Sequence, residues 1–176
     1  MSRWRVPCGY LAGLAVLILA SPTLLSLALG LPLALVGEGL RLWAAGHIEK
    51  TSRLATGGPY AHTRNPLYFG SFLIALGCAV AAASPWVALA AAAYFLIFYP
   101  SVIREEAAFL AARFPEEYGE WARSVPRFLP RLRPAGPATS RFTWERVRAN
   151  HEWQAGLAVP LAFVLLALRG LIPWGA

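Results

Sequence analysis

Residues 57–70 read GGPYAHTRNPLYFG, and this stretch from Gly57 to Gly70 separates two long apolar segments. It holds three glycines, two prolines and two tyrosines, with single His, Arg and Asn residues. Glycine and proline favour tight turns, and Pro66 is a residue type typical of the first turn of a helix. Because most of the chain is apolar, so dense a polar loop predicts a functional segment rather than a simple connection.

The composition indicates a membrane protein. Of the 176 residues, 57% are hydrophobic and the mean hydropathy is +0.50. An ordinary soluble domain has about 45–50% apolar residues. Several apolar runs approach the roughly twenty residues that cross a bilayer. A very apolar soluble helical bundle is the weaker alternative.

We therefore predict an all-α integral membrane protein with about five transmembrane helices in a single membrane domain, residues 1–176. The predicted spans are residues 6–20, 23–45, 67–83, 86–103 and 153–172. The first span resembles a signal peptide, with Arg3 and Arg5 before it and small residues after it. We expect it to be retained as a helix, because four further spans need no separate export signal. Between the fourth and fifth spans, residues 142–153 predict a short amphipathic helix on the membrane surface.

The charge pattern predicts the orientation. The chain has 16 Lys and Arg residues, 9 acidic residues and a net charge of +7. If the spans alternate, fifteen of the sixteen basic residues lie on one side and only Arg169 lies opposite. Such a bias is typical of the cytoplasmic side, here expected to be that of a bacterial inner membrane. The positive charge thus indicates a bilayer partner, and no nucleic acid is expected.

Familiar catalytic and metal motifs are missing from the sequence. No HExxH, CxxC or GxSxG pattern occurs, so zinc protease, redox-pair and α/β-hydrolase functions have no motif behind them. Cys8 and Cys78 each lie in an apolar run, and the three histidines are scattered. We expect no metal site.

One carboxylate lies inside an apolar span. Glu38 and Arg41 are three residues apart and share a helix face. Two interpretations remain open: an ion pair that holds helices together, or a polar wall of a site, which is the default for an intramembrane acid.

Two polar segments, residues 46–66 and 104–134, are predicted to meet on the cytoplasmic side. The first ends at the N-terminus of the third span, where free N–H groups favour an anion. The second contributes the Glu105–Glu106 pair, aromatic residues and Arg127. Acids, rings and free donors together suit a ligand with an amine, a carboxylate and a flat ring. The simpler alternative for the two glutamates is a solvated pair balanced by nearby arginines.

The two segments resemble a known family. The matching residues are Gly58-Pro59-Tyr60, Arg64-Asn65-Pro66-Leu67-Tyr68 and Gly70, then Glu105-Glu106, Tyr118 and Val125-Pro126-Arg127. They resemble the isoprenylcysteine carboxyl methyltransferases and phospholipid methyltransferases over residues 37–132. The resemblance implies an integral-membrane enzyme that uses S-adenosylmethionine in a cytoplasmic C-terminal cofactor-binding region. It also implies a lipid or other lipophilic small-molecule substrate.

The resemblance also implies roles for individual residues. Those expected at the catalytic centre are Glu105, Glu106 and Arg127. Those expected to bind the cofactor are Tyr60, His62, Arg64, Asn65, Pro66, Tyr68, Gly70, Glu106, Tyr118, Trp121 and Phe128. Many family members have His at the position of Asn65. Asn forms hydrogen bonds but does not act as a base near neutral pH, so a histidine-based proton role does not carry over.

The methyl acceptor stays open between a carboxylate, a thiol and an amine. Two other functions also remain: a membrane lipid reductase on a related scaffold, and a non-catalytic lipid-binding protein. Binding of a nicotinamide cofactor would favour the first of these, and binding of neither cofactor the second.

Overall fold

The computed structural model describes residues 13, 16–49, 52–135 and 141–172, and these form helices joined by turns and loops. The helices are α1 (Leu24–Ala45), α2 (Pro66–Ala82), α3 (Pro85–Arg113), α4 (Pro115–Ser124), α5 (Trp144–Ala149) and α6 (Trp153–Leu171), with a short 3-10 helix at Gly58–Ala61. No strand occurs in the described ranges. The predicted all-α class is confirmed for them.

Proline marks where several helices begin. Pro66, Pro85 and Pro115 are the first residues of α2, α3 and α4. Proline fits there because its ring fixes a helical φ and its missing N–H has no partner to lose. The helix start at α5 is different, since the Thr143 side chain accepts a hydrogen bond from the Arg146 N–H at 3.3 Å.

Helices α1, α2, α3 and α6 occupy the positions of four predicted spans. Two helices, α1 and α3, are long and apolar enough to cross a membrane, while α2 and residues 156–171 of α6 are shorter apolar helices. The first predicted span lies mostly outside the described residues, so the five-span topology stays a prediction. The helix predicted over residues 142–153 is wrong in extent: α5 covers only Trp144–Ala149, because a turn at residues 150–152 ends it.

The chain forms two compact units. The apolar unit comprises residues 1–37, 72–102 and 157–176, and the polar unit comprises residues 38–71 and 103–156. In the apolar unit, large side chains face outward: Leu24 is 88% exposed and Leu96 is 71% exposed. Outward-facing leucines at this density are expected where lipid, rather than water, surrounds the helices.

Small residues let helices of the apolar unit approach closely. A Cβ built on Gly30 would overlap the backbone of Gly77, and one on Gly77 would overlap that of Gly30 and Ala34. Ala34 and Ala81 beside them are fully buried. Such small-residue contacts are typical of helix packing in membranes, where lipid tails are as apolar as leucine.

The core of the polar unit has a different character. Its buried residues are Ala44, Leu54, Tyr60, Trp121 and Val125, and partly buried side chains from α2, α3 and α4 pack around them. Two of the five are aromatic residues with polar atoms. The core of this unit therefore contains side chains that can also form hydrogen bonds.

Candidate functional site

The loop from Gly57 to Gly70 has one conformation that only glycine adopts easily. Gly58 has φ of +58°, and the His47 ring occupies the place where a Cβ would project. The chain then forms the 3-10 helix Gly58–Ala61, in which Pro59, Tyr60 and Ala61 are buried. The first half of the loop is therefore packed as tightly as a protein core.

The proline-rich segment, residues 125–135, lies along this loop and binds its backbone. The Arg64 N–H donates to the Pro126 carbonyl, the Arg131 N–H to the His62 carbonyl, and the Ala135 N–H to the Ala61 carbonyl, all at 2.9 Å. These bonds join residues more than sixty positions apart in the sequence. The two segments predicted to meet are thus in contact in the structure.

Side chains of the loop strengthen the same contact. The Thr63 hydroxyl, which is almost fully buried, donates to the Phe128 carbonyl at 2.8 Å and accepts from the Asn65 N–H at 3.3 Å. The Asn65 amide donates to the Arg127 carbonyl at 2.7 Å. At the position where many family members have His, this chain therefore uses an amide to hold the proline-rich segment.

Trp121 connects helix α4 to the loop. Its indole N–H donates to the Tyr60 carbonyl at 3.0 Å, and its ring makes an edge contact with Tyr118 at 5.7 Å between centroids. The Tyr118 hydroxyl lies 3.4 Å from Nη1 of Arg64. Tyr118 and Trp121 thus share one face of α4, and this face packs on the loop.

Electrostatics distinguish the two glutamates of α3. Burial raises the pKa of the Tyr60 phenol well above its ordinary value, and the negative charges of Glu106 and Glu152 raise it further. The Glu106 charge therefore acts on Tyr60, which lies within electrostatic range in the loop. Consecutive helical residues point about 100° apart, so the two carboxylates face different directions.

Three of the predicted site residues are charged and exposed, namely Glu105, Glu106 and Arg127. Six are half-buried: His62, Arg64, Asn65, Tyr68, Tyr118 and Phe128. The Phe128 ring makes an edge contact with Phe69 at 5.5 Å between centroids, and Nδ1 of His62 lies 2.8 Å from the Arg131 carbonyl. The Nε of Arg64 is buried and has no hydrogen-bond partner among the residues that the structure describes. The remaining four, Tyr60, Pro66, Gly70 and Trp121, are buried.

Of the two interpretations of Glu38 and Arg41, an ion pair between these two residues is not what the structure shows. Arg41 binds Glu152 instead, with Nη2 at 2.7 and 2.8 Å from the two carboxylate oxygens. Both oxygens of Glu38 are buried without a hydrogen-bond partner in the described residues. Of the two acids, Glu38 and Glu152, it is Glu152 that binds the Arg41 guanidinium, and it does so with both carboxylate oxygens.

Glu152 is the residue that sequence reasoning missed. It lies at the turn before α6, where His151 has a left-handed φ of +58°. Asn150 in the same turn donates to the carbonyls of Ala45 and Ile48, just past the end of α1. The sequence does contain an acid, Glu152, immediately before one apolar span, and an arginine, Arg41, near the end of another. That the two side chains meet is shown by the structure.

The polar unit also contains an open cavity of about 840 Å³. Trp121 and Leu54 supply apolar lining, while the charged residues around it are Glu49, Arg53, Glu117, Glu120, Arg141 and Arg146. Glu49 and Arg146 form an ion pair. Both signs of charge thus surround an aromatic surface next to the loop.

No group of three or more His, Cys, Asp or Glu side chains suited to a metal ion is found within the described ranges.

A comparison with protein-family models shows which family the chain belongs to. The family model described as phospholipid methyltransferase matches residues 25–117, which is more than half of the chain. The chain belongs to the phospholipid methyltransferase family. The match includes the whole Gly57–Gly70 loop and the glutamate pair of α3. The family, together with two membrane-capable helices, associates the protein with a membrane.

The chain is also similar to two curated proteins. One is the cobalt-zinc-cadmium resistance protein CzcN of Cupriavidus metallidurans, 42% identical over 149 residues. The other is the nickel-cobalt-cadmium resistance protein NccN of Alcaligenes xylosoxydans xylosoxydans, 34% identical over 145 residues. Each alignment covers 79% of this chain and 66% of the relative. No solved structure matches the chain significantly.

Proposed function

We propose that this protein is an S-adenosylmethionine-dependent methyltransferase that acts on a lipid or another membrane-dissolved acceptor. The observation that supports it best is the contact between the Gly57–Gly70 loop and the proline-rich segment. Two motifs that are far apart in the sequence lie side by side in one compact unit. Membership of the phospholipid methyltransferase family supports the reaction type.

The exposed and half-buried residues fit the functional groups of the cofactor. Arg64 and Arg127 suit its carboxylate, Glu105 and Glu106 suit its ammonium group, and Phe128 suits its adenine ring. The buried Nε of Arg64, which has no protein partner among the described residues, is a donor available to such a ligand. We assign Tyr60, Pro66 and Trp121 to building the loop, because they are buried in protein.

When bound, the cofactor would supply a methyl group on a sulfonium centre. Methyl transfer from it is an in-line displacement, so the protein mainly has to position two reactants and exclude water. The backbone bonds of the proline-rich segment fix the loop, and this fixed geometry supports such positioning. Where the acceptor is an amine, Glu106 is the carboxylate we assign to take up its proton; a carboxylate or thiolate acceptor needs no base.

We further propose a multi-pass arrangement of about five spans, with the polar unit facing the cytoplasm. Fifteen of sixteen basic residues on one side support this orientation. The outward-facing leucines of α1 and α3 support contact with lipid. Labelling single introduced cysteines with a membrane-impermeant maleimide tests it. Accessibility of position 116 only from the cytoplasmic side is expected; accessibility from the opposite side would reverse the topology.

The reaction is tested by incubating the purified protein in detergent with S-adenosylmethionine tritiated on the methyl group and a total lipid extract. Radioactivity in the organic phase is expected. Arg127→Ala and Glu106→Gln should reduce it by about tenfold or more, since each removes a charged group from the proposed site. Leu132→Ala, which truncates an exposed side chain of the proline-rich segment, is the matched control and should transfer methyl groups normally.

The alternatives give different outcomes in the same preparation. Binding of a reduced nicotinamide cofactor with no binding of S-adenosylhomocysteine would support a membrane reductase. A well-folded protein that binds lipid but neither cofactor would support a non-catalytic lipid-binding role.

A further inference from the structure

Arg41 makes contacts beyond its ion pair with Glu152. Arg41 uses both terminal nitrogens: Nη2 contacts both oxygens of Glu152, and Nη1 lies 2.5 Å from the Ser71 hydroxyl and 3.4 Å from the Leu67 carbonyl. The side chains of Arg41 and Glu152 are 19% and 10% exposed. One guanidinium therefore joins α1, the first turns of α2 and the turn before α6 within the polar unit.

The contacts on α2 lie at the corner where the Gly57–Gly70 loop becomes a helix. Ser71 also donates to the Leu67 carbonyl at 3.0 Å, so hydroxyl, carbonyl and guanidinium form one closed set of hydrogen bonds. Tyr68 and Gly70, both assigned to the cofactor site, lie between Leu67 and Ser71 in the sequence. A shift of this corner would therefore move them directly.

Arg41 binds Glu152, although Glu38 is nearer to it in the sequence. Glu38 lies on the same helix, three residues before Arg41, and its two buried oxygens have no hydrogen-bond partner in the part of the chain that the structure describes. Without Glu152, we expect the Arg41 guanidinium to be drawn toward Glu38. It would then leave Leu67 and Ser71. The turn that places Glu152 is itself fixed, because Asn150 binds the carbonyls of Ala45 and Ile48.

We propose that Arg41 is a positioning residue for the methyl transfer, and that Glu152 orients it. Arg41 holds the Leu67–Ser71 corner in the geometry that the cofactor site requires, without touching the reacting atoms. Glu152 lies beyond residues 25–117 that match the family, so the C-terminal part of the chain acquires a role in the site. The inference rests on the proposed methyltransferase function.

The test compares substitutions that preserve charge or hydroxyl with those that remove them, in the full chain in detergent. Arg41→Lys keeps the positive charge for Glu152 but lacks the planar fork that reaches Ser71 and Leu67 as well. Ser71→Ala removes the hydroxyl, and Ser71→Thr restores one. Ser101→Ala is the matched control, because the Ser101 hydroxyl bonds only within its own helix, to the Phe98 carbonyl at 2.8 Å.

Arg41→Lys should lower kcat about tenfold, as expected for a small displacement of positioned groups, with a melting temperature close to that of the wild type. Ser71→Ala should lower kcat several-fold, about half as much on a logarithmic scale. Ser71→Thr should recover most of the activity, and Ser101→Ala should match the wild type. Amide hydrogen exchange in a peptide covering residues 64–71 should accelerate in Arg41→Lys and Ser71→Ala only.

Wild-type kcat and unchanged exchange at residues 64–71 in both Arg41→Lys and Ser71→Ala would overturn the inference and leave the cluster as a structural brace. A wild-type protein without methyl transfer or S-adenosylhomocysteine binding would instead overturn the proposed function. In that case unchanged exchange would also reject the positioning of the corner by Arg41.

Discussion

The packing inside the apolar unit differs in kind from the packing inside the polar unit. In the apolar unit, glycine and alanine let helices touch through their backbones, as at Gly30 and Gly77. In the polar unit, side chains reach for backbone carbonyls, as Trp121 does for Tyr60 and Asn65 for Arg127. Packing in the apolar unit depends on small side chains that let backbones approach, whereas packing in the polar unit depends on directional hydrogen bonds. The comparison explains why the candidate site lies in the polar unit, since directional bonds can fix reacting groups.

The largest effect is expected from filling the close contact in the apolar unit. Gly77→Leu would force a side chain into the backbone of Gly30 and Ala34, so the two helices could not keep their close contact. We expect loss of monodisperse protein in detergent, measured by size-exclusion chromatography.

The control for this substitution is Gly39→Ala on α1, where nothing lies within 4 Å of the added Cβ. It should behave like the wild type. A monodisperse Gly77→Leu protein with an unchanged melting temperature would mean that backbone contact does not hold the apolar unit.

The polar unit should be most sensitive at Trp121, which is 7% exposed. Trp121→Ala removes a buried ring and should cost about 3–5 kcal/mol, measured by thermal unfolding in detergent. Trp121→Phe keeps most of the ring but leaves the Tyr60 carbonyl without its donor, which should cost about 1–3 kcal/mol. Equal losses in the two variants would show that the hydrogen bond, and not the burial, dominates.

A smaller effect is expected when Thr63 loses only its hydroxyl. Thr63→Val nearly preserves shape but removes the bonds to the Phe128 carbonyl and the Asn65 N–H, at a cost of about 1–3 kcal/mol. We expect faster amide exchange in residues 125–135, measured by mass spectrometry, because the proline-rich segment loses an anchor. Unchanged exchange there would mean that the three backbone bonds suffice.

The smallest effect concerns pH and Tyr60. Burial, with the charges of Glu106 and Glu152, raises the pKa of its phenol in the folded protein. An unfolded tyrosine ionises near about pH 10, so its contribution to stability is complete below that pH and is lost above it. The wild type should therefore lose stability more steeply above about pH 10 than Tyr60→Phe does. Parallel profiles of melting temperature against pH for the two proteins would contradict this.

Much of the architecture was predictable because helix periodicity and proline positions are local signals. Pro66 marks the start of α2, as the sequence predicted, and Pro85 and Pro115 begin α3 and α4 in the same way. The partner of Arg41 was not predictable by the same means, because Glu152 is 111 positions away. Local spacing favoured Glu38, and only the turn at residues 150–152 shows why the distant acid holds the guanidinium. The bond between Asn65 and the Arg127 carbonyl was hidden for the same reason.

The central claim is tested most directly by calorimetric titration of S-adenosylhomocysteine into the detergent-solubilised protein and into Glu106→Gln and Glu105→Gln variants. We predict saturable binding at one site per chain, weakened about tenfold in Glu106→Gln and less in Glu105→Gln, because Glu106 is the acid within electrostatic range of the Gly57–Gly70 loop. No heat of binding from folded wild-type protein would contradict the account.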